Sequence, residues 1–279
     1  MRWQEAKAAL QTTYDQSPCA RESGSFSSLI GYFLSALGRH SPLFSEDVLS
    51  DEQTALLFGW MEQVKNGLPP QYAVGKAWFD RGEFFVGEGV LIPRPDTEIL
   101  VEQAVRRLPQ NAKFYDLCCG SGCVGIAVLI HREDVRCIAC DVLDSPLYYT
   151  EKNALHNGVQ DRHETMRLDV LSSVLPPLQK GEMVVANPPY LTKEEMQKLP
   201  ILLEKEPREA LDGGEDGLIF YRAILKHYQK ISTRFLFEIG CAQAADVSKI
   251  AREMGFEHIE VVKDYGGRDR VVYCEKKSN

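Results

Sequence analysis

Lys113-Phe114-Tyr115-Asp116-Leu117-Cys118-Cys119-Gly120-Ser121-Gly122-Cys123-Val124-Gly125 runs from a short apolar segment through a tight glycine turn into a second apolar segment. Lys113 to Leu117 has the length and composition of a buried strand, Cys119 to Gly122 of a turn, and Val124 to Ile130 of a helix start. The same alternation continues downstream. Strands are expected at Val135 to Asp141, His163 to Val170, Met183 to Ala186 and Phe235 to Ile239. Helices are expected at Tyr148 to Asn157, Gly217 to Ile231 and Ala242 to Met254. Upstream, Asp96 is placed to cap a helix through Ile99, Leu100, Ala104 and Val105. Strands alternating with helices imply a mostly parallel, doubly wound α/β sheet.

His258 to Lys263 and Arg270 to Glu275, joined through Tyr265-Gly266-Gly267, form a terminal hairpin that adds an antiparallel strand at one side. Together these elements give the Rossmann-like seven-stranded sheet typical of methyltransferases. Residues 1–70 precede it as a small N-terminal helical domain. There Glu5 to Tyr14, Phe26 to Leu37 and Ser50 to Asn66 space apolar residues by three or four, and Gly67-Leu68-Pro69-Pro70 breaks the last helix. Residues 71–95 read as a β-hairpin linker, and 96–279 as the catalytic domain.

The formal net charge of −8, with no long run of Lys or Arg, lowers the expectation of a nucleic-acid-binding face. The first eighteen residues lack an apolar core segment, and no stretch is long and apolar enough for a membrane helix, so a cytoplasmic protein is expected. Of the eight cysteines, Cys137 and Cys140 form a CxxC within a strand. Side chains alternate along a strand, so a separation of three puts the two sulfurs on opposite faces. No second pair completes a zinc set, and no metal is expected.

In a doubly wound sheet, ligands sit outside the carboxyl ends of the strands. The turns at 118–122, 141, 169–170 and 187–190 all follow strands and should gather there. Gly120, Gly122 and Gly125 satisfy GxGxxG, with Asp141 about twenty residues on, which is the spacing of a dinucleotide fingerprint. Asp116 argues for another ligand. A carboxylate at the strand mouth repels a pyrophosphate but attracts the sulfonium and α-ammonium of S-adenosylmethionine. Gly120 and Gly122 allow close backbone approach, and Asp141 can accept hydrogen bonds from ribose hydroxyls.

Asn187-Pro188-Pro189-Tyr190 supplies the chemistry. An amide nitrogen is a poor nucleophile because its lone pair is delocalised. The Asn187 side-chain oxygen and the Pro188 carbonyl can accept from an amide NH2, which positions the nitrogen and enriches its electron density. The prolines stiffen the loop, and Tyr190 offers a flat face to an amide or a nucleobase. Loss of the extra proton to water requires no general base.

On these motifs the chain resembles the PrmC/HemK family of peptide-release-factor glutamine methyltransferases, from about Gly67 to Lys277. The likeness also rests on Pro70-Gln71-Tyr72-x-x-Gly75, Leu91-Ile92-Pro93-Arg94-Pro95-Asp96-Thr97-Glu98, Glu206-Pro207-x-x-Ala210-Leu211, Glu238-Ile239-Gly240-x-x-Gln243 and Asp264-x-x-Gly267-x-Asp269-Arg270. The resemblance implies methyl transfer from S-adenosylmethionine, leaving S-adenosylhomocysteine, to the glutamine of the Gly-Gly-Gln loop of bacterial release factors. It implies that the N-terminal helices help dock that protein partner. It also implies that Cys118, Cys119, Gly120, Ser121, Gly122, Asp141, Asp169 and Val170 line the cofactor, with Val170 near adenine. Asn187, Pro188, Pro189 and Tyr190 would hold the glutamine, Asn187 touching cofactor as well.

Arg94 reads either as part of a surface ion-pair cluster with Asp96 and Glu98 or as a residue shaping the substrate site. Three positions depart from the family pattern. Cys118 stands where glycine is usual and Cys119 replaces Thr or Ser, while Val170 occupies an often aromatic position. A large-subunit ribosomal protein glutamine and a nucleic-acid adenine N6 remain alternative acceptors on these motifs. A dehydrogenase and a non-catalytic binding protein are the alternatives outside methyl transfer.

Overall fold

The computed structural model describes residues 1–41, 43–172, 182–230 and 232–276. The expected helix end at Ile231 and the last residue of the family likeness, Lys277, lie outside the described residues. The chain divides into two compact units, Met1–Lys76 with Leu199–Glu206, and Ala77–Lys198 with Pro207–Asn279.

The first unit holds α1 (Trp3–Asp15), α2 (Pro18–Glu22), α3 (Phe26–Ala36), α4 (Asp51–Lys65) and α5 (Pro70–Val74). Serines cap three of them. The hydroxyls of Ser17, Ser25 and Ser50 accept N–H groups of the first turns of α2, α3 and α4, and Ser50 with Gln53 closes a reciprocal capping box. The helices close over Trp3, Leu10, Phe33, Leu57, Met61 and Val64, all buried. α2 and α5 lie outside the expected helices. Each begins at a proline, which a first helical turn tolerates because its N–H would have no helical partner there.

The second unit opens with the hairpin β1 (Lys76–Phe79) and β2 (Gly82–Phe85), then α6 (Glu98–Arg107). There follow β3 (Lys113–Leu117), α7 (Cys123–His131), β4 (Arg136–Asp141), α8 (Asp144–His156), β5 (His163–Arg167) and β6 (Met183–Ala186). The unit ends with α9 (Ile219–Tyr228), β7 (Arg234–Glu238), α10 (Ala244–Glu253), β8 (His258–Lys263) and β9 (Asp269–Glu275). The seven-stranded sheet has the order β5-β4-β3-β6-β7-β9-β8, with β9 antiparallel to both its neighbours. The winding reverses between β3 and β6, which places a ligand crevice at their carboxyl ends.

The terminal hairpin refines the expectation of an antiparallel strand at one side. β9 inserts beside β7, and β8 forms the edge. Burial explains the choice. Val271, Val272, Tyr273 and Cys274 of β9 are all buried, whereas β8 alternates charge with apolar residues and is largely exposed. A strand apolar on both faces belongs inside a sheet, and a charged one protects its edge. The two faces carry separate cores. Cys137 packs in one with Phe114 and Val185, Cys140 in the other with Tyr115 and Phe237.

Asp96 does not cap α6. It sits in a 3-10 turn, Pro95–Thr97, and its carboxylate accepts from Arg268 at 3.1 Å and Arg270 at 3.0 Å. Thr97 stands at the helix N-cap position without a side-chain cap. Two guanidinium partners outcompete the local N–H donors for the carboxylate.

Candidate active site

A crevice in the second unit opens at the carboxyl ends of β3, β4, β5 and β6, where the winding reverses. From β3 and the turn after it come Asp116, Cys118, Cys119, Gly120 and Ser121; from the end of β4, Asp141 with Val142 and Leu143. The segment after β5 adds Leu168, Asp169 and Val170, the loop after β6 adds Asn187 and Pro189, and the segment before α6 adds Arg94 and Thr97.

The turn after β3 is built for backbone exposure. Gly120 has φ 55° and Gly122 φ 77°, and Gly122 is the residue from which α7 starts. A Cβ on Gly122 would run into the Thr150 hydroxyl, and one on Gly125 would stand 2.7 Å from the Cys137 sulfur. The Gly125 N–H donates to Asp116 Oδ2 at 2.9 Å, so a helix N-terminus faces this carboxylate. Burial still dominates. It pushes Asp116 up to about 7, against the Gly125 hydrogen bond, with Asp141 adding like charge. Asp141 is also raised by burial, although Oδ2 accepts from Gly120 N–H at 3.1 Å and Oδ1 from Val142 at 2.8 Å and Leu143 at 3.2 Å. A buried carboxylate and a half-buried one share the crevice, and no cation is hydrogen-bonded to Asp116 among the described residues, which suits a ligand that brings positive charge and hydroxyl donors.

S-adenosylmethionine carries both. A Cβ on Gly120 would have only Val90 near it, at 4.0 Å, so the backbone there stays open. Val142, Leu143, Leu168 and Val170 give this end of the crevice an aliphatic lining. Asp169 is turned onto its own loop, accepting from Leu171 N–H at 2.9 Å and Ser172 Oγ at 2.7 Å.

At the other end of the crevice, Asn187 Nδ2 donates to Thr97 Oγ1 at 3.4 Å, which leaves the side-chain oxygen facing away from Thr97. The loop is pinned from behind. Gln243 Nε2 donates to the carbonyls of Tyr190 at 2.9 Å and Gly217 at 3.2 Å, and its Oε1 accepts from Gly240 N–H. Tyr190 packs against the second sheet face, and burial pushes its phenol up to about 12.

The crevice therefore gathers Arg94, Asp116, Cys118, Cys119, Gly120, Ser121, Asp141, Asp169, Val170, Asn187 and Pro189. Gly122, Pro188 and Tyr190 are not on its wall, Gly122 being set behind the turn. The three residues of the charged cluster go separate ways. Arg94 lines the crevice, Asp96 binds arginines, and Glu98 accepts from Asp80 N–H at 3.1 Å. Among the described residues no group of three or more His, Cys, Asp or Glu could hold a metal ion, and no helix is long and apolar enough to cross a membrane.

Three residues escape a reading of the sequence, Thr97 on the crevice wall and Glu238 and Asn153 behind it. Thr97 and Glu238 occur inside motifs without an assignable role. Asn153 is wholly buried on α8; its Nδ2 donates to Phe85 O at 3.0 Å and Ser121 O at 2.9 Å, and its Oδ1 accepts from Phe85 N–H at 2.7 Å. Only an Asn facing apolar neighbours on a helix signals it, and that is weak.

Comparison with known proteins identifies the family. The family model "Methyltransferase small domain" matches residues 95–235. A release factor glutamine methyltransferase of Clostridium botulinum is 35% identical over 234 residues, 82% of this chain and 83% of the relative. One from Thermodesulfovibrio yellowstonii is 36% identical over 241 residues, 83% and 85% respectively. In fold alone, the chain is also similar to the crystal structure of the hMettl16 catalytic domain in complex with the MAT2A 3'UTR hairpin 6. That likeness has a TM-score of 0.61 at 12% identity and covers 92% of this chain and 94% of that one.

Proposed function

This chain belongs to the release factor glutamine methyltransferases, and from that premise we propose that it methylates the side-chain amide nitrogen of the glutamine in the Gly-Gly-Gln motif of bacterial peptide chain release factors. S-adenosylmethionine, when bound, supplies an electrophilic methyl group on a sulfonium. Every other contribution comes from the chain's own groups. Asp116 and Asp141 anchor the two polar ends of the cofactor, with the turn at Cys118, Cys119, Gly120, Ser121 and Gly122 between them and Asp169 and Val170 at the ring end. The Asn187 oxygen and the Pro188 carbonyl accept from the acceptor NH2 and aim its nitrogen at the methyl group, while Pro189 and Tyr190 hold the loop and Arg94 flanks the entry. Positioning of this order can supply a large share of the acceleration, because a near-attack geometry replaces a bimolecular encounter. Expelling water around two carboxylates strengthens their hold on positive charge.

The observation that carries the proposal is Asn187 beside the crevice with its nitrogen committed to Thr97. The first unit is assigned to docking of the protein substrate, and an acidic chain of net charge −8 favours a protein acceptor over a nucleic acid.

Purified protein with methyl-labelled S-adenosylmethionine should label an unmethylated release factor. It should not label one whose Gly-Gly-Gln glutamine is alanine. Asn187→Ala should lower turnover by roughly 10²-fold or more, as loss of an oriented hydrogen-bond acceptor does. Cofactor binding without label on the factor would sink the release-factor assignment and turn attention to a ribosomal-protein glutamine.

A further inference from the structure

A carboxamide has nearly the same outline with its oxygen or its nitrogen outward, yet only the oxygen can accept from another amide's NH2. We infer that Glu238, acting through Thr97, fixes the Asn187 carboxamide with its oxygen toward the acceptor, so that Thr97 and Glu238 are positioning residues for methyl transfer. This rests on the glutamine-amide reading of the site.

The three groups form a short relay. Ala186 of β6 pairs with Phe237 of β7, so Asn187 and Glu238 are the next residues along two neighbouring parallel strands. Asn187 Nδ2 donates to Thr97 Oγ1 at 3.4 Å, and the Thr97 side chain is hydrogen-bonded to the Glu238 carboxyl group. Thr97 is 1% exposed and Glu238 2%. An ionised carboxylate can only accept, and a hydroxyl has one proton. Thr97 must therefore donate to Glu238, which leaves it only lone pairs to offer Asn187. Asn187 answers with its NH2, and the oxygen is forced to the other side. The polarity of the whole relay is set by one negative charge.

Fold stability alone does not account for Glu238. A buried carboxylate is costly unless well paired, and here Oε2 has no hydrogen-bond partner among the described residues. Its charged neighbours are Arg270 of β9 with Arg94 and Asp96 of the segment before α6. The other titratable groups facing it are Tyr190, Tyr221 of α9 and Cys123 of α7, all held protonated by burial. Burial pushes Glu238 up to about 7, opposed by Thr97 and Arg270. Once protonated, Glu238 can donate to Thr97, the threonine proton can turn to Asn187, and the carboxamide is free to flip. Turnover then falls as pH drops through neutrality.

The test compares wild type with Thr97→Val, Thr97→Ser and Glu238→Gln, at saturating S-adenosylmethionine so that Asp116 stays ionised. Thr97→Val should lose about 10²-fold in kcat, the scale of a misaimed reacting group, with cofactor Kd and release-factor KM changed far less. Thr97→Ser, which keeps the hydroxyl, should recover most of that loss. Glu238→Gln should lose the acidic limb of the kcat–pH profile. Retained turnover in Thr97→Val, or a loss that Thr97→Ser fails to recover, overturns the inference. A second readout needs no acceptor. In protein labelled with 15N at asparagine, the Asn187 side-chain NH2 signal should move with a midpoint near pH 7 in wild type and stay fixed in Glu238→Gln. An immobile wild-type signal overturns the relay. If wild type labels no release factor, the functional reading fails while the NMR result still judges the relay.

Discussion

Cys118 holds a backbone φ of 57° at the tip of β3, in the left-handed region that suits glycine. A Cβ there costs about 1 kcal/mol, because it crowds the following carbonyl. The thiol gains no ionic role in return, since burial pushes it well up. Cys118→Gly should therefore stabilise the protein by at most about 0.5 kcal/mol, the relief of left-handed strain less the added freedom of the unfolded glycine. Urea unfolding of both proteins checks this, and a less stable glycine variant would mean that the thiol packing outweighs the strain. Asp116 makes a prediction with a pH sign. Unfolded, it ionises near pH 4; folded, burial delays ionisation to about 7. The folded state binds the extra proton in between, so stability falls as pH rises across that window. Asp116→Asn should thus be more stable than the parent without cofactor at pH 8, with little difference near pH 4. It should also bind S-adenosylmethionine roughly 10- to 100-fold more weakly, the loss of a charge-assisted hydrogen bond. Parent affinity should drop between pH 8 and pH 6. Calorimetry at both pH values reads this, and a flat parent profile or an unweakened Asn variant would count against Asp116 as the ammonium anchor.

Asn153 ties three elements of the second unit together, joining α8 to β2 on one side and to the turn carrying Ser121 on the other. Asn153→Ala leaves the Phe85 N–H and two carbonyls without their partner in a buried place. It should cost about 3 kcal/mol, from unsatisfied backbone groups and a small cavity, and should weaken cofactor binding through the loosened turn. Unfolding and binding curves on the same preparation separate the two effects. A change in stability alone would make the residue a brace for the hairpin only. The sequence made the strands, the main helices and the glycine turn readable, because apolar period and turn residues are local properties. It did not make readable what depends on partners far along the chain. Asp96 looked like a helix cap because the arginines that claim it lie more than 170 residues away. The flat face of Tyr190 is legible in the sequence, but the hold on its carbonyl by Gln243, a residue 53 positions on, is not. The strand that completes the sheet was visible as one arm of a hairpin, while its insertion beside β7 follows from which arm is apolar on both faces.

At the scale of the whole molecule, the crevice lies entirely within the second unit, while the first carries its own core of Trp3, Leu10, Phe33 and Met61 and none of the crevice residues. The catalytic groups recognise little more than one amide, a chemistry shared by every glutamine in the cell. Discrimination among glutamines must then come from contacts away from the reacting nitrogen, and the proposed docking role of the first unit supplies them. Binding remote from the chemistry lowers the barrier only if it is linked to the reacting segment, so the gain belongs to an intact release factor and not to a short peptide bearing Gly-Gly-Gln. Two linked contacts raise the apparent affinity of either alone by roughly 10²-fold or more when the linker spans both. The intact factor should accordingly exceed the peptide by about that ratio in kcat/KM. The same ratio should shrink toward one when charge-reversing changes are made on the exposed polar face of α4, at Glu52 and Glu62. Peptide turnover should stay near the parent value in those variants, because neither residue lines the crevice. Equal kcat/KM for peptide and intact factor in the parent would assign recognition to the crevice alone and leave the first unit without a part in docking.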